Sequence, residues 1–214
     1  MSDERGVVLF GDVVGSRRDP TNAAAWLRDL TGRLTELYGD DALAPFGFTQ
    51  GDELQGLLRL SADPLRAVLL GALDDDAPRL RWVAVAGEIA EGTGPAPERN
   101  GRAFLAARDA IERARRQRDR LLMLTGDAEA DVLLDDLAPV LGDLLDELTD
   151  RQRTVARLAL VDQLRQSELA HRLNVSRATI SVTFGRGRVE SIAGLAHAIG
   201  LIFADGAARA GADA

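Results

Sequence analysis

Within the first 40 residues, a short apolar run is followed by an amphipathic stretch. Val7 to Phe10 form an unbroken apolar run, which predicts a strand buried on both faces. From Asn22 to Tyr38, apolar residues recur at steps of three and four, which predicts a helix. Thr21 suits the N-cap of this helix and Gly39 suits its end. The chain is therefore expected to open with a buried strand and a packed helix.

Two apolar arms around a polar break predict a β-hairpin. The arms cover residues 43–49 and 54–60, and Gln50-Gly51-Asp52-Glu53 lies between them. Glycine and aspartate are common in turns for backbone reasons, so a solvated turn is the simplest interpretation of these four residues. Such a turn places the Asp52 and Glu53 carboxylates at an exposed tip.

The pattern continues with a helix, a strand, a second helix and a short strand. These elements are predicted at residues 63–73, 80–89, 100–119 and 121–124. The resulting β-α-β-β-α-β-α-β order favours an α+β domain, a mixed sheet with helices on a face, of the ferredoxin-like or cyclase palm type. Three adjacent acids, Asp74 to Asp76, are interpreted as a solvated loop.

The C-terminal half is helical in pattern. Leucines in residues 128–147 predict a helical connector, with a dimer seam as the alternative. Thr149 and Gln152 have the capping-box spacing at the start of the next helix. Residues 189–203 form a further apolar-striped helix. The predicted domains are 1–127 (α+β), 128–147 (connector) and 148–204 (all-α), with a disordered tail at 205–214.

Residues 166–184 are similar to the helix-turn-helix of bacterial transcription regulators. Ala170 is small where two helices cross, Asn174 suits the turn, and Ser176 can cap the second helix. That helix is expected to enter the DNA major groove. The candidate DNA-contacting residues are Arg172, Ser176, Arg177, Ala178, Thr179, Ser181, Val182, Arg186 and Arg188. The alternative is a helical hairpin used only for protein contacts.

Charge separates the two halves. The chain of 214 residues carries a net charge of −8, yet residues 149–203 hold eight arginines against four acids. Such asymmetry indicates a separate partner for the basic segment, and double-stranded DNA fits it. The chain contains no cysteine and no lysine, which excludes disulfides, thiol catalysis and any lysine-dependent mechanism. With neither a signal pattern nor an apolar run of spanning length, we expect a cytoplasmic protein without membrane contact.

Besides Asp52 and Glu53 at the hairpin tip, Asp12 is a candidate functional acid. It follows the buried run directly, where an unpaired carboxylate costs free energy. Asp12 and Asp52, on adjacent strands, are a plausible Mg²⁺ site, because Mg²⁺ prefers one or two carboxylates plus substrate phosphates. The alternative is that Asp12 only caps or hydrogen-bonds the strand end.

Four segments resemble the bacterial SatD family: Gly11 to Arg17, Gln50 to Leu57, Val83 to Ile89 and Asn100 to Ile111. Their order also resembles nucleotidyl cyclases and GGDEF domains. That resemblance implies Mg²⁺ or Mn²⁺ at Asp12 and Asp52 and a nucleotide near Arg108, with Glu53 and Arg17 as weaker contributors. The chain departs from cyclases where Phe104 replaces their asparagine and where their purine-selecting lysine is missing.

Two hypotheses follow. The first is a DNA-binding transcriptional regulator whose cyclase-like domain binds a nucleotide or divalent metal. It is expected to act as a homodimer through residues 130–147, 189–203, or both. The second is a Mg²⁺-dependent nucleotidyl cyclase or nucleotidyltransferase that its helix-turn-helix directs to a target. Because the chain lacks the asparagine and the lysine of cyclases, the first hypothesis is favoured. The sequence therefore predicts a cyclase-like fold but does not establish an enzymatic activity.

Overall fold

A computed structural model describes residues 4–15, 20–49, 53–74 and 77–212 of the protein. The elements in chain order are β1 (Glu4–Val13), α1 (Pro20–Tyr38), β2 (Ala42–Phe48), β3 (Glu53–Arg59), α2 (Leu65–Ala72), β4 (Leu80–Ile89), α3 (Arg102–Gln117), β5 (Leu121–Leu124), α4 (Ala128–Asp146), α5 (Asp150–Leu160), α6 (Gln166–Arg172), α7 (Arg177–Arg186) and α8 (Val189–Ala212). The predicted α+β class, with a helical C-terminal region, is confirmed.

The five strands form one mixed sheet in the order β2-β3-β1-β4-β5. All neighbouring strands are antiparallel except β4 and β5, which are parallel. The two arms of the predicted hairpin are β2 and β3, and its turn, residues 50–52, lies outside the described residues. In the register of the central strand, Asp12 lies between Glu53 on β3 and Arg81 on β4.

Each face of the sheet has its own apolar core. Val7 and Leu9 of β1 point to a face that α1, α2, α4 and α8 cover. Val8 and Phe10 point to the opposite face, which α3 covers. This alternation follows from the two-residue repeat of a strand. Because both faces of the sheet are buried, the middle of β1, from Gly6 to Gly11, contains no polar side chain before Asp12.

The last helix returns to the sheet, which the sequence did not predict. Ile199, Phe203 and Ala207 of α8 are almost fully buried in the same core as α1 and α4. At Gly206 a Cβ atom would overlap that of Ala130, so glycine allows α8 to lie close against α4. The structure therefore differs from a disordered tail at 205–214: residues 205–212 are helical, and 213–214 lie outside the described residues.

The predicted boundaries differ from the structure for the same reason. The connector and the final helix, α4 and α8, both contribute to the core of the sheet. The helix-turn-helix, α5 to α7, lies between them in the chain. The predicted boundary at 148–204 groups most of α8 with the helix-turn-helix, whereas Ile199 and Phe203 of α8 lie in the core of the sheet.

Two smaller expectations are also corrected. By length and composition alone, α8 would be long enough to cross a membrane, contrary to the expectation that no apolar run reaches that length. Core helices of globular proteins share these properties, and Ile199 and Phe203 are buried inside this fold. In addition, α1 begins at Pro20, so Thr21 lies in its first turn and is not its N-cap.

Asp74 is buried, so the prediction of a solvated loop is wrong at this residue; Asp75 and Asp76 lie outside the described residues. Its side chain is 11% exposed. The carboxylate accepts hydrogen bonds from Trp26 Nε1 at 3.0 Å and from Arg33 Nη2 at 2.6 Å, and Arg157 Nη1 lies 3.3 Å away. Asp74 thereby joins α1 and the end of α2 to α5.

The balance at Asp74 favours the ionised carboxylate. Burial raises its pKa, but the hydrogen bonds and charge of Arg33, with help from Trp26 and Arg157, bring the pKa below its ordinary value. A second contact supports the same junction, because Arg153 of α5 donates a hydrogen bond to the carbonyl of Ala72. The helix-turn-helix is therefore attached to the sheet region by charge-assisted hydrogen bonds as well as by the chain itself.

We predict that Asp74→Asn destabilises the protein by about 1.5–3 kcal/mol at pH 7, the range for hydrogen bonds to charged groups. Since the folded pKa of Asp74 is lowered, its contribution is complete above the unfolded pKa of about 3.9 and is lost as pH falls through the folded value. The gap in unfolding free energy between wild type and variant should therefore shrink below about pH 4.

Urea unfolding at pH 7 and at pH 3.5 measures this gap. Asp109→Asn is the control, because Asp109 is exposed on α3 and no ion pair is found for it in the described part of the chain. An Asp74→Asn protein as stable as the Asp109→Asn protein at pH 7 would show that the cluster contributes nothing.

Candidate nucleic-acid interface and candidate metal site

A small apolar core holds α5, α6 and α7 together. Its buried members are Val155, Leu158, Leu169, Ala170 and Ile180. Leu164, Leu173, Val175 and Phe184 pack against them. Ala170, which the sequence predicts to be small where two helices cross, is among the buried members.

The turn and the caps also have the predicted form. Asn174 has a φ of 51°, a left-handed conformation that asparagine tolerates better than most residues. Ser176 Oγ accepts the Thr179 N–H at 3.0 Å and caps α7. Thr149 and Gln152 form the predicted capping box at the start of α5. These local signals fix where α5 and α7 begin and how α6 turns into α7.

One surface of the helix-turn-helix carries the residues predicted to contact DNA. Eight of the nine are exposed, namely Arg172, Ser176, Arg177, Ala178, Ser181, Val182, Arg186 and Arg188. Thr179 is half-buried, and its N–H and hydroxyl both bond to Ser176. One face of the N-terminal half of α7 carries Arg177, Ala178, Ser181 and Val182. Residues four apart lie on the same side of a helix, so Ser181 follows Arg177 and Val182 follows Ala178 along this face. That face is open to solvent.

The arginines of the basic segment divide into two groups. Three are engaged within the protein: Arg153 with Ala72, Arg157 with Asp74, and Arg188 with Glu147 at 2.5 Å. The other five are exposed and have no ion pair among the described residues: Arg151, Arg165, Arg172, Arg177 and Arg186. The positive charge available to a nucleic acid is therefore smaller than the sequence count indicates, and Arg188 is a weaker candidate than its neighbours.

Asp12 lies in a cluster of arginines that the sequence did not reveal. The residue is 4% exposed. Its Oδ2 accepts hydrogen bonds from Arg81 Nη1 at 2.9 Å and from Arg115 Nε at 3.2 Å, and its Oδ1 accepts one from Arg115 Nη2 at 2.6 Å. The hydrogen bond to Asp12 raises the pKa of Arg115 above its ordinary value. The burial cost of the carboxylate is thus offset by two guanidinium groups.

This arrangement does not fit a cation as it stands, since a metal ion at Asp12 would lie against two positive side chains. Arg115, whose side chain is 38% exposed, would have to leave first. Asp52, the other predicted ligand, lies outside the described residues. In the described part of the chain, no group of three or more His, Cys, Asp or Glu residues could hold a metal ion.

The predicted nucleotide contacts are only partly assembled. Arg108 is exposed on α3, two helical turns before Arg115, which is the residue that reaches Asp12. Glu53 begins β3 and accepts a hydrogen bond from Gln55 Nε2 at 2.7 Å. Arg17 lies outside the described residues.

Sequence reasoning missed Arg81 and Arg115 for identifiable reasons. Arg81 is the second residue of an otherwise mostly apolar strand, β4, and gave no charge signal of its own. Arg115 belongs to a run of basic residues at the end of α3, which is typical of a solvated helix terminus. One available signal was strand register, because Arg81 pairs with Asp12 across β1 and β4.

Comparison with known proteins supports the helix-turn-helix. Residues 144–189 match the family model described as sigma-70, region 4, which extends from the end of α4 to the first residue of α8. Among solved structures, a bacterial light-regulated adenylyl cyclase is similar at 16% sequence identity, over 56% of this chain and 74% of that chain, with a TM-score of 0.41. No curated protein matches the chain. The chain therefore contains a helix-turn-helix similar to sigma-70 region 4, beside a mixed α/β region.

Proposed function

We propose that this protein is a DNA-binding transcriptional regulator that reads DNA with the N-terminal half of α7. The observation that carries the proposal is the open face of α7, with Arg177, Ala178, Ser181 and Val182, on a helix-turn-helix similar to sigma-70 region 4. In this motif the second helix enters the major groove with its N-terminal residues at the base edges. Arg177 can pair with guanine, and Ala178 or Val182 can contact a thymine methyl group.

Electrostatics supports the same face. The chain carries a net charge of −8, so most of its surface repels phosphate. The helix-turn-helix instead carries five exposed arginines that have no ion pair among the described residues. Phosphate contacts from Arg172 and Arg186 would fix the position of α7, while base contacts would set the preferred sequence. A cytoplasmic location, where DNA is accessible, follows from this proposal.

Two substitutions separate these roles. Arg177→Ala should reduce discrimination at one base pair by about 1–3 kcal/mol. Arg186→Ala should weaken binding to all sequences alike and lower the salt slope by about 1, because one phosphate contact is lost. Fluorescence anisotropy with a selected DNA site and a scrambled site, at several salt concentrations, measures both effects.

Arg116→Ala is the matched control, since Arg116 is exposed on α3 and has no ion pair in the part of the chain that is described. It should change neither affinity nor salt slope. Equal losses for Arg116→Ala and Arg186→Ala would refute the assignment of the DNA surface to α7.

A homodimer is the second part of the proposal, because helix-turn-helix readers commonly bind two half-sites as dimers. The predicted stripe of α8 is used inside the fold, where Ile192, Ile199 and Phe203 are buried. α4 instead has two apolar stripes. One is buried in the core. The other lies beside it and is partly open: Leu133 is 48% and Val140 49% exposed, whereas Leu137 and Leu144 are partly buried against the core. Its alternating steps of four and three residues suit pairing with a second α4.

We expect Val140→Glu to convert the dimer to a monomer, because a charge in the middle of an apolar seam loses its hydration on pairing. Leu105→Glu is the control, since Leu105 is 60% exposed but lies on α3. Sedimentation at tens of micromolar distinguishes the two states. A wild-type protein that sediments as a monomer would contradict a dimer through α4.

The metal and nucleotide proposal stays an alternative, in which Asp12 and Asp52 bind Mg²⁺ or Mn²⁺ with a nucleotide, as in a nucleotidyl cyclase or nucleotidyltransferase. What supports it is the register, which brings Asp12 beside Glu53, the residue after Asp52. The segments that resemble the SatD family contain Asp12 and Asp52, and membership of that family stays a prediction. The ion pairs of Asp12 favour a structural role for this carboxylate.

A structural role makes a specific prediction. Asp12→Asn leaves Arg81, with a side chain 9% exposed, without its carboxylate, and should cost about 3–5 kcal/mol of stability with no metal present. Glu112→Gln is the control, because it removes a more exposed ion pair of the same Arg115 and should cost at most about 1 kcal/mol.

Thermal and urea unfolding test both variants, with and without Mn²⁺ and ATP. An Asp12→Asn protein as stable as the Glu112→Gln protein would contradict the structural role. A rise in the melting temperature of the wild type with Mn²⁺ and ATP, absent in Asp12→Asn, would favour the metal alternative by mass action.

A further inference from the structure

A cavity of about 480 Å³ opens at the end of the sheet that is remote from Asp12. Its walls are β4, the start of α3, the turn between β5 and α4, and the last turns of α8. Arg5 of β1 lines it, seven residues from Asp12 along the strand, which is about 23 Å. The cavity is therefore distinct from the Asp12 cluster, and its volume lies within the range of small-molecule sites.

The end of β5 creates this opening. β5 pairs with β4 only from Trp82 to Val85, whereas β4 continues to Ile89. Four consecutive residues, 85–88, line the cavity, so the free edge of β4 forms part of its wall. Backbone N–H and C=O groups at a free edge retain their need for hydrogen-bond partners. Val85, Ala103, Ala106 and Leu124 supply apolar surface beside this edge.

Three of the four charged residues that line the cavity are already satisfied. Asp131 accepts hydrogen bonds from the Thr125 N–H and hydroxyl at 2.6 and 2.7 Å. Glu88 pairs with Arg102 at 3.1 Å. Arg5 differs: its Nη1 is buried and has no hydrogen-bond partner among the described residues. A buried charged donor without an acceptor is costly. Gly211 of α8 covers Nη1, so it is the unpaired guanidinium group of Arg5 as a whole that favours an anion in the cavity it lines.

We propose that this cavity binds a small aromatic monocarboxylate, with the carboxylate at the guanidinium group of Arg5 and the ring on the apolar wall. A planar guanidinium group suits a carboxylate. A single charge is favoured over a phosphate monoester, because Glu88 and Asp131 lie in the same cavity and Arg5 is its one cation without an acidic partner among the described residues. The site adds a ligand to the regulator proposed above, but it does not depend on DNA binding.

The test uses the full-length protein and three related probes: 2-naphthoate, its neutral amide and 2-naphthyl phosphate. Amide NMR shifts at Gly87 and Gly126 report occupancy of the cavity. We expect 2-naphthoate to shift both amides and to bind at least tenfold more tightly than the other two. Tighter binding of the phosphate would overturn the monocarboxylate assignment, and the absence of shifts with all three probes would overturn the site.

Two variants test the role of Arg5. Arg5→Met should weaken 2-naphthoate binding at least tenfold while leaving the melting temperature of the ligand-free protein unchanged or higher, because a buried unpaired donor is removed. Arg102→Met is the matched control, since the Arg102 side chain is 84% exposed and pairs with Glu88, and its affinity should stay within threefold of the wild type. A ligand-free Arg5→Met protein that melts several degrees lower would show that Arg5 has a structural partner instead.

Discussion

The packing of α8 against the sheet and α4 determines the organisation of this protein. Ile199, Phe203 and Ala207 lie in the same apolar core as β1 and α1, so the chain leaves the sheet region through α4 and returns to it through α8. The helix-turn-helix is thereby held at both ends. Burial of a large apolar side chain contributes about 1.5–3 kcal/mol, which makes this return a stable constraint.

Buried ion pairs then join helices and strands at specific side chains, which apolar packing alone does not do. Asp74 joins α1 to α5 through Arg33 and Arg157, and Asp12 joins β1 to β4 and α3 through Arg81 and Arg115. A buried carboxylate costs free energy unless cations and donors surround it, so each acid fixes the side chains around it. The arginines that remain exposed and have no ion pair in the described residues of the helix-turn-helix, such as Arg177 and Arg186, are those left for DNA.

Local patterns in the sequence predicted the elements well and the long-range contacts poorly. The limits of β4 and β5, the capping box at Thr149 and the turn at Asn174 follow from neighbouring residues alone. The two arginine partners of Asp12 are 69 and 103 residues away along the chain. Arg33 and Trp26 are 41 and 48 residues from Asp74, and no periodicity reveals any of these contacts. The helix at 205–212 was missed because its small residues look unstructured until α4 provides a surface for them.

The central claim is that the helix-turn-helix and the sheet region form one folded unit. The chain has no cysteine, so Val182→Cys, at a position 54% exposed on α7, allows a single fluorescent label. Trp26 and Trp82 report on the sheet region in the same sample. In urea, both signals should change at one midpoint with one slope, as expected for a cooperative transition. Loss of the α7 signal at a lower urea concentration, with tryptophan emission unchanged, would contradict the claim.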